Sequence, residues 1–324
     1  MSRAIRFHEY GGPEVLQLEI VPADKLGARQ LRIRHTAIGV NFIDTYERTG
    51  LYPAKLPAAL GREAAGVVVE AGRSVTLFKP GDRVAYAGNT AGAYAMERVI
   101  DANRVVRLPD SISDQQAAAM MLKGLTAWFL LRRCYRVKKN EPILLHAATG
   151  GVGLIALQWA TALGAKVIAV VGSDAKAQLA REYGAAEVIV GSREDLVARV
   201  RAITRKRGVP VVYDGVGKDT FFASLDCLKP RGLMVSFGNA SGPVAPFSAL
   251  ELSRRGSLYL TRPVLFHYIA KSSELSRGAR ELFEIVGAGR VKVHIGQTYT
   301  LADAARAHRD LEARRTTGST LLMP

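Results

Sequence analysis

The sequence is poor in cysteine and in paired histidines. Its 324 residues include two cysteines, Cys134 and Cys227, which lie far apart in the chain. Their number and separation make a disulfide framework improbable and exclude a thiolate-rich metal site. The six histidines are scattered and show no HExxH spacing. One of them, His146, ends an apolar strand, where we expect a buried structural residue.

Long apolar runs are also missing. The most apolar window, residues 117–131, is interrupted by Lys123 and is too short to span a bilayer. The N-terminal sequence MSRAIRFHEYGG has no apolar segment long enough for a signal peptide. These absences predict a soluble, cytoplasmic protein without a membrane partner. We expect Lys123 to be a snorkelling lysine at an interface.

Acidic residues are fewer than basic ones. The chain has 45 lysines and arginines against 29 acidic residues, a net charge of +16. A basic soluble surface explains this charge, and attraction to phosphate-bearing cofactors fits it equally well. The sharper alternative is nucleic acid, but the longest basic cluster, residues 200–208, has no interleaved aromatic side chains for base stacking. Charge alone therefore does not favour a nucleic-acid partner.

Two patterns divide the chain into domains. Roughly the first third has short apolar runs between turn signals, typical of a mostly antiparallel β barrel or sandwich. Further on, apolar strands alternate with helical segments, which predicts an α/β fold with a doubly wound parallel sheet. We expect segment 260–268 to return to the first domain. The predicted domains are a mostly-β domain (1–124), an inserted dinucleotide-binding Rossmann domain (125–262) and the C-terminal part of the first domain (263–324).

A glycine-rich loop links the first predicted strand of the α/β part to its helix. The segment LLHAATGGVGLIALQWA (144–160) contains Gly150, Gly151 and Gly153. In the dinucleotide fingerprint GxGxxG, Gly150 lets the backbone approach a pyrophosphate and Gly153 permits close packing of helix on strand. The first position is Ala148, so the strict pattern is not matched. The strand–loop–helix context favours a dinucleotide, and no Gly-Lys-Ser/Thr follows as in a P-loop.

The end of the next strand bears on the choice between NAD(H) and NADP(H). An NAD-binding unit usually has an acidic residue here. In VVGSDAK, Gly172 and Ser173 instead occupy the turn and leave room for a 2′-phosphate, which Lys176 would pair with. Asp174 keeps the alternative open, since it could accept a hydrogen bond from a ribose hydroxyl. The turn favours NADP(H).

Several segments resemble the medium-chain dehydrogenase/reductase superfamily. They are GREAAGVVVEAG (61–72), KPGDRV (79–84), AATGGVG (147–153) and VVYDGVG (211–217). The resemblance implies a GroES-like catalytic domain around the Rossmann domain. Zinc alcohol dehydrogenases of that superfamily carry a Cys-His pair and a Gly-His-Glu motif, where this chain has Asn41-Phe42 and Gly61-Arg62-Glu63. We therefore expect no metal site.

A narrower resemblance covers essentially the whole chain. It rests on HEYGGPEVLQ (8–17), AIGVNFIDTYERTGLYP (37–53), LKGLTAWFLLR (122–132), RGLMVSFGNASG (231–242) and the terminal LEARRTTGSTLLMP. These segments look like the zinc-free quinone oxidoreductases, the zeta-crystallin-like branch. The resemblance implies NADPH in the cleft between the domains, a small-molecule quinone as acceptor, and a homodimer.

The same resemblance implies roles for individual residues. Asn41 and Tyr46 would form the nicotinamide-side wall and Tyr52 would lie at the quinone pocket. The pyrophosphate would be held by Gly150, Gly151, Val152 and Gly153, and the 2′-phosphate by Lys176 and Arg314, beside the turn at Gly172 and Ser173. The remaining cofactor-binding positions implied are Phe129, Val216, Phe237, Gly238 and Asn239.

Two positions depart from the family pattern. Relatives often have a tyrosine near the adenosine phosphate where this chain has Gly191, which weakens the case for 2′-phosphate specificity unless Ser192 or Arg193 compensates. Some relatives have a tyrosine where this chain has Phe129, so a hydroxyl near the cofactor is missing.

Structural explanations compete with these roles. Tyr46 could pack at a domain interface, Asn41 and Tyr52 could belong to turns, and Arg314 could offset a helix dipole. Asp44 is expected to order its loop. As to activity, an NADPH-dependent alkenal or enone reductase is the alternative on the same fold. RNA binding, known for some zeta-crystallin-like proteins, is a further possible role.

Overall fold

Strands and helices follow one another along the whole chain in a computed structural model that describes residues 1–324. The strands are β1 (Ser2–Phe7), β2 (Gln17–Val21), β3 (Gln30–Val40), β4 (Ala58–Ala59), β5 (Glu63–Ala71), β6 (Arg83–Ala87), β7 (Glu97–Asp101), β8 (Val105–Arg107), β9 (Pro142–Leu145), β10 (Lys166–Val171), β11 (Glu187–Val190), β12 (Val209–Asp214), β13 (Leu228–Ser236), β14 (Tyr259–Thr261), β15 (Ile295–Thr300) and β16 (Ser319–Met323). The α-helices are α1 (Phe42–Arg48), α2 (Asp114–Phe129), α3 (Gly151–Ala162), α4 (Asp174–Glu182), α5 (Leu196–Ile203), α6 (Phe221–Asp226), α7 (Leu250–Arg254), α8 (Leu265–Tyr268), α9 (Ser272–Gly287) and α10 (Ala304–Glu312). None of these helices combines the length and the apolarity that crossing a membrane requires.

The chain divides into two compact units. The first comprises Met1–Leu125, Ile269–Gly287 and Val293–Pro324, and the second comprises Thr126–Tyr268 and Ala288–Lys292. Both ends of the chain therefore belong to the first unit. Residues 263–268 and 288–292, which we expected in the C-terminal part of the first domain, belong to the second unit.

The first unit is built from mostly antiparallel sheets. One has the strand order β2-β1-β4, and the other has the order β15-β16-β3-β5-β6-β8, with β7 also paired to β3. All these neighbours are antiparallel except β15 and β16. The core between the strands is apolar and fully buried, with Phe7, Ile33 and Ile38 among its members. The expectation of a mostly-β first domain is confirmed.

The second unit contains the predicted parallel sheet. Its strand order is β11-β10-β9-β12-β13-β14, and every neighbouring pair is parallel. Numbered within the unit, this is the order 3-2-1-4-5-6 of a Rossmann fold. The strands are buried on both faces and consist largely of β-branched residues and leucine, as parallel strands covered by helices require. The predicted doubly wound architecture is confirmed.

The expected return to the first domain at segment 260–268 is wrong. Its first residues belong to β14, which pairs with β13 through Leu233 and Tyr259 and forms the sixth strand of the parallel sheet. Helix α8, at the end of the segment Thr126–Tyr268, also belongs to the second unit. A strand of three residues is too short to show a periodicity, and Pro263 two residues later marks only a break in the pattern.

Candidate functional site

The glycine loop leaves the N-terminus of α3 open to a ligand. Gly150 is the N-cap, with an extended backbone (φ −77°, ψ 177°), and no side chain caps the helix. Backbone N–H groups of the first turn therefore have no side-chain acceptor, and the helix dipole favours an anion there. A Cβ on Gly153 would lie 2.1 Å from the carbonyl oxygen of Ala147, so position 153 accepts no side chain. The loop therefore fits a pyrophosphate.

The turn after β10 offers open space beside a second helix N-terminus. A Cβ on Gly172 would meet no atom within 4 Å. Ser173 is the N-cap of α4, and its hydroxyl accepts a hydrogen bond from the backbone N–H of Lys176 at 3.4 Å. Ser173 and Lys176 thus lie one helical turn apart at a helix N-terminus, an arrangement that suits a phosphate group.

An exposed ion pair connects the turns after β10 and β11. The guanidinium of Arg193 donates to the carboxylate of Asp174, and both side chains are exposed. The hydroxyl of Ser192 donates to the carbonyl oxygen of Gly172 at 3.3 Å. Arg193 neutralises Asp174, so the acidic residue that argued for a ribose contact is engaged by the protein itself. This ion pair was not predicted, because nineteen residues separate its members.

A buried polar network orders the loop after β12. Asp214 accepts hydrogen bonds from the N–H groups of Val216 (2.8 Å) and Gly217 (3.1 Å) through Oδ1. Through Oδ2 it accepts the hydroxyl proton of Ser224 at 2.9 Å, and Nε2 of His146 lies 2.9 Å from that hydroxyl oxygen. Because the hydroxyl proton is used, Nε2 of His146 must donate. Burial lowers the pKa of His146, which keeps the ring neutral. The expected structural role of His146 is confirmed.

The residues after β13 pack against that loop. The ring of Phe237 lies 3.0 Å from where a Cβ on Gly215 would be. With its amide oriented to satisfy both neighbours, Asn239 donates to the carbonyl oxygen of Gly238 (2.9 Å) and accepts from Arg262 (3.2 Å). Arg262 also donates to the carbonyl oxygen of Ser236 at 2.9 Å. The Phe237–Asn239 segment is thus held by backbone and guanidinium contacts.

Phe129 is buried at the end of α2. Its ring stacks on that of Tyr268 with centroids 4.5 Å apart and an interplanar angle of 16°. Only 1% of Phe129 is exposed. A phenol in the same unit therefore lies beside the position where the family pattern has a tyrosine.

The candidate residues that follow strands of the second unit all lie at one edge of its sheet. Parallel strands end at the same edge, and ligands of open α/β sheets bind outside these carboxyl ends. The candidates that follow the carboxyl ends of β9, β10, β12 and β13 are Gly150, Gly151, Val152, Gly153, Gly172, Ser173, Lys176, Val216, Phe237, Gly238 and Asn239. The fold brings them to one side of the sheet although they span ninety positions of the chain.

In the first unit, Asn41 lies between β3 and α1 with its side chain fixed. It is the N-cap of α1 and forms a capping box with Asp44, whose carboxylate accepts from the N–H of Asn41 at 2.8 Å. The Asn41 side-chain Nδ2 donates to Glu63 Oε1 at 2.8 Å. Asn41 is therefore a turn residue with a defined amide orientation, and Asp44 orders the loop as expected.

Glu63 is held by three donors. Besides Asn41, it accepts from Lys123 Nζ at 2.5 Å and from the N–H of Leu122 at 2.6 Å. Glu63 is fully buried, and Lys123 is 4% exposed. The expectation of a snorkelling Lys123 is wrong: its ammonium neutralises a buried carboxylate that lies sixty residues away in sequence. Gly39 makes room, since a Cβ there would lie 2.3 Å from Glu63 Oε1.

Tyr46 and Tyr52 form an aromatic pair. Their ring centroids are 5.3 Å apart at an interplanar angle of 73°, an edge-to-face arrangement. The N–H of Tyr52 donates to the carbonyl oxygen of Tyr46 at 3.0 Å, which ties the turn to α1. Tyr46 is 9% exposed and Tyr52 is half-buried. Two phenol groups are thus brought together beside α1, the helix that begins after Asn41.

A buried chain of hydrogen bonds lies behind α1. Arg48 donates to His308 Nδ1 at 3.1 Å, so the neutral ring must carry its proton on Nε2, which lies 3.1 Å from the Tyr94 hydroxyl. Tyr94 in turn donates to Asp44 Oδ2 at 3.0 Å. Arg48 also pairs with Glu312 at 2.6 Å.

Burial shifts the pKa values of Asp44 and His308 in this series of hydrogen bonds. Desolvation, together with the charge of Glu47, raises the pKa of Asp44 to about 7. Desolvation and the Arg48 guanidinium lower the pKa of His308 to about 3. No local sequence pattern predicts these hydrogen bonds, and only the expectation that Asp44 orders its loop bears on them.

Arg314 lies just beyond α10. It has a left-handed backbone (φ 58°), it is exposed, and its N–H donates to the carbonyl oxygen of Leu311 at 3.1 Å. It belongs to the first unit, together with Asn41, Tyr46 and Tyr52.

The donor set of the chain does not fit a metal centre. No group of three or more His, Cys, Asp and Glu side chains is arranged to hold an ion. Where zinc relatives have ligands, Asn41 and Glu63 bind each other and Arg62 pairs with Glu47. No step of the chemistry is therefore assigned to a metal.

Comparisons with known proteins match this architecture. A family model described as "Zinc-binding dehydrogenase" matches residues 151–282, and one described as "Alcohol dehydrogenase GroES-like domain" matches residues 27–110. Quinone oxidoreductase from Pseudomonas aeruginosa is 53% identical over 325 residues, covering 100% of both chains. The crystal structure of Escherichia coli quinone oxidoreductase complexed with NADPH has a TM-score of 0.97 and 52% identity, covering 99% of this chain and 100% of that chain.

A relative with another name is also similar over the full length. The 2-haloacrylate reductase of a Burkholderia species is 43% identical over 331 residues, covering 100% of this chain and 99% of that protein.

Proposed function

Because the chain belongs to the quinone oxidoreductase family of the medium-chain dehydrogenase/reductase superfamily, we propose that it transfers reducing equivalents from NADPH to a quinone. The observation that carries the proposal is the 53% identity to a quinone oxidoreductase, which extends over both chains completely. The aligned region includes every segment on which the resemblance was based.

NADPH is the cofactor that the second unit fits best. When bound, it supplies the hydride equivalent for the acceptor. The N-terminus of α3, with Gly150, Gly151 and Val152, holds the pyrophosphate, because its N–H groups have no side-chain acceptor and Gly153 brings the helix close. Bound NADPH in a solved structure 52% identical to this chain supports the assignment.

The 2′-phosphate of NADPH binds at the turn after β10. Ser173 and Lys176 lie at the N-terminus of α4, next to the open space at Gly172. Arg193 keeps Asp174 engaged, so the carboxylate does not oppose the phosphate. Phe129, Val216 and the segment Phe237–Asn239, all in the second unit, are proposed to complete its cofactor contacts. For Arg314, in the first unit, the 2′-phosphate contact is supported by the family resemblance alone.

The tyrosine pair orients the acceptor. A quinone presents carbonyl oxygens, which accept hydrogen bonds, and the hydroxyls of Tyr46 and Tyr52 donate them. These donors stabilise the negative charge that arrives on the oxygen during reduction. Asn41 fixes the nicotinamide end of the cofactor. A quinone is electrophilic enough that this assignment requires no metal ion.

Reduction of an activated alkene is the second candidate. The full-length similarity to a 2-haloacrylate reductase favours it. An α,β-unsaturated carbonyl compound shares with a quinone the carbonyl oxygen that the tyrosine pair would bind, so the same residues serve both substrates.

A comparison of acceptors, each tested separately, distinguishes the two activities. NADPH oxidation is followed with an ortho-quinone, para-benzoquinone, a trans-2-alkenal and 2-chloroacrylate, and is repeated with NADH. We expect the highest kcat/KM for a quinone with NADPH. Turnover of the alkenal or the acrylate alone, without any quinone, would contradict the proposal and select the second candidate.

We also propose that the chain acts as a homodimer in the cytoplasm. The resemblance to the zeta-crystallin-like branch, which implies a homodimer, supports the first part. Two free cysteines, Cys134 and Cys227, fit a reducing compartment. Light scattering of the purified protein and fractionation of cells test the two parts; a monomer, or recovery outside the cytoplasmic fraction, would contradict them.

A further inference from the structure

The Asn41 amide is held in one orientation by groups on both sides. Its nitrogen faces two acceptors, Glu63 Oε1 at 2.8 Å and the carbonyl oxygen of Gly39 at 3.5 Å. Its other side lies at the N-terminus of α1 as part of the capping box with Asp44. Because both amide hydrogens are directed at the protein, only the oxygen, with its remaining lone pair, is available to a ligand. Asn41 therefore presents an acceptor.

The orientation of Asn41 depends on the charge of Glu63. A carboxylate only accepts, whereas a protonated carboxyl group also donates. Glu63 is fully buried, and its ionised form is balanced by the ammonium of Lys123 at 2.5 Å. A buried carboxylate without such a partner takes up a proton rather than stay charged. Lys123 thus determines whether both oxygens of Glu63 act only as acceptors.

The backbone of α2 adds a directional constraint. The N–H of Leu122 donates to Glu63 Oε2 at 2.6 Å, so that oxygen has to be an acceptor. Because a carbonyl oxygen accepts more strongly than a hydroxyl oxygen, protonation of Glu63 favours the carbonyl at Oε2 and the proton on Oε1, the atom that faces Asn41. Asn41 would then have to turn its oxygen towards Glu63 and its nitrogen towards the ligand.

We propose that Lys123 is a positioning residue for cofactor binding: by keeping Glu63 ionised, it holds the Asn41 amide with its oxygen facing the nicotinamide nucleoside of NADPH. The inference rests on the proposed function and names the half of the reaction that this amide serves. The carboxamide N–H and ribose O–H groups of the cofactor are donors that match an acceptor. A quinone such as para-benzoquinone has only acceptor oxygens, so Asn41 discriminates in favour of the cofactor and against the oxidised substrate.

The experiment compares Lys123→Met with the double variant Lys123→Met/Glu63→Gln. The first variant leaves a buried acid without its cation, which is destabilising. The double variant removes both charges, so it should fold even if the single variant does not. In the double variant, the N–H of Leu122 selects the oxygen of the new amide at position 63. The nitrogen of that amide then faces Asn41 and again inverts its orientation. Lys25→Met, an exposed lysine, controls for the substitution itself.

Two quantities are measured for each folded variant. The dissociation constant of NADPH is obtained by titration of its fluorescence without acceptor, and the KM for para-benzoquinone is obtained at saturating NADPH. At pH 7 we expect the dissociation constant to rise roughly three- to tenfold in both Lys123 variants, the effect of one neutral hydrogen bond. The KM for the quinone should stay within about twofold of the wild-type value.

A pH series adds a signature that mere destabilisation would not give. Lys123→Met keeps an acid at position 63 and the double variant does not, so a pH dependence of NADPH affinity that is present in Lys123→Met and absent from the double variant reports on Glu63. Both variants share the neighbouring titratable groups. Burial raises the pKa of Asp44 to about 7 and raises those of Glu47, Tyr86 and Tyr94, so their effects cancel in the comparison.

Two results would overturn the inference. A folded double variant that binds NADPH as tightly as the wild type shows that the charge pair does not position Asn41. Equal losses for NADPH and quinone show a general packing role. If the wild-type protein does not bind NADPH at all, the proposed function fails first, and this inference fails with it.

Discussion

Individual side chains at the end of β10 bear most directly on cofactor choice. Lys176 lies one turn into α4, and Arg193 is engaged with Asp174 on the neighbouring turn. The position where relatives often have a tyrosine is Gly191, whose Cβ would make only ordinary contacts, the nearest at 3.5 Å. With no side chain at Gly191, the proposed 2′-phosphate site depends on Lys176 and the Ser173 cap.

Replacing Lys176 by Ala should therefore weaken the binding of NADPH and leave the binding of NADH unchanged. A hydrogen bond to a charged group contributes about 1.5–3 kcal/mol, so the dissociation constant of NADPH should rise roughly 10- to 100-fold. Fluorescence titration with both nucleotides measures the two constants. Arg181→Ala, an exposed cation on the same helix, is the matched control. Equal weakening of NADH would assign Lys176 to a part of the cofactor other than the 2′-phosphate.

Residue pairs that are distant in sequence were the least predictable. Lys123 and Glu63 are sixty positions apart, and Arg48 and His308 are 260 apart. Composition and local pattern show only that each residue is polar in an apolar or turn-like context. Which partner satisfies it depends on the pairing of strands and on the return of the C-terminal segment, so neither the buried ion pair nor the His308 tautomer follows from the sequence.

At the scale of the element, the junction between β9 and α3 depends on one missing side chain. Gly153 lies in the first turn of α3, where the helix passes over the backbone of Ala147 and Ala148. The contact is between backbone atoms, which no rotamer change can relieve. Close approach of helix to strand here brings the first-turn N–H groups to the carboxyl end of β9.

Gly153→Ala should displace the start of α3 and impair nucleotide binding. Its Cβ would lie 2.1 Å from the Ala147 carbonyl oxygen, and overpacking of this kind typically costs about 1–3 kcal/mol. We expect a lower thermal midpoint and a rise of at least roughly tenfold in the NADPH dissociation constant. In Gly88→Ala the nearest atom to the new Cβ is 4.0 Å away, so that variant should behave as the wild type. Unchanged binding by Gly153→Ala would show that the loop does not hold the cofactor.

The alternation of strands and helices in the second unit could be predicted from local patterns, for a physical reason. Parallel strands covered on both faces are continuous apolar runs, so β10 (Lys166–Val171) and β11 (Glu187–Val190) stand out from the amphipathic helices between them. Strand β14 was missed because three residues carry no period. The glycine loop was recognised because its backbone geometry limits which residues can occupy it.

For the whole molecule, buried histidines determine the response to acid. Burial lowers the pKa of His308 to about 3 and that of His35 to about 4. Unfolding exposes both rings, which then bind protons below about pH 6.5. At these two sites the unfolded state thus binds more protons than the folded state between about pH 3 and 6.5, so their contribution to stability falls as the pH falls through this range. Asp44 opposes the trend, because its raised pKa of about 7 lowers stability as the pH rises from about 4 to 7.

His308→Gln should make the acid loss of stability shallower. An amide at this position can still accept from Arg48 and donate to Tyr94, but it does not titrate. Between about pH 4.5 and 5.5 the free energy of unfolding should change with pH by about 1.4 kcal/mol per unit less than in the wild type, the value for one proton. Urea unfolding at several pH values measures the slope, with the exposed His267→Gln as control. An unchanged slope would mean that His308 is already protonated in the folded protein.

The position of β16 has a consequence for the order in which the molecule forms on the ribosome. This strand is the last element of the chain, yet in its sheet it lies between β15 and β3. The first unit therefore begins synthesis first but cannot complete its sheet until residues 319–323 have emerged. The six-stranded sheet of the second unit, in contrast, has all its strands once Thr261 has been made. Because domains fold as units during synthesis, we expect the second unit to fold before β16 has been synthesised and therefore before the sheet of the first unit is complete.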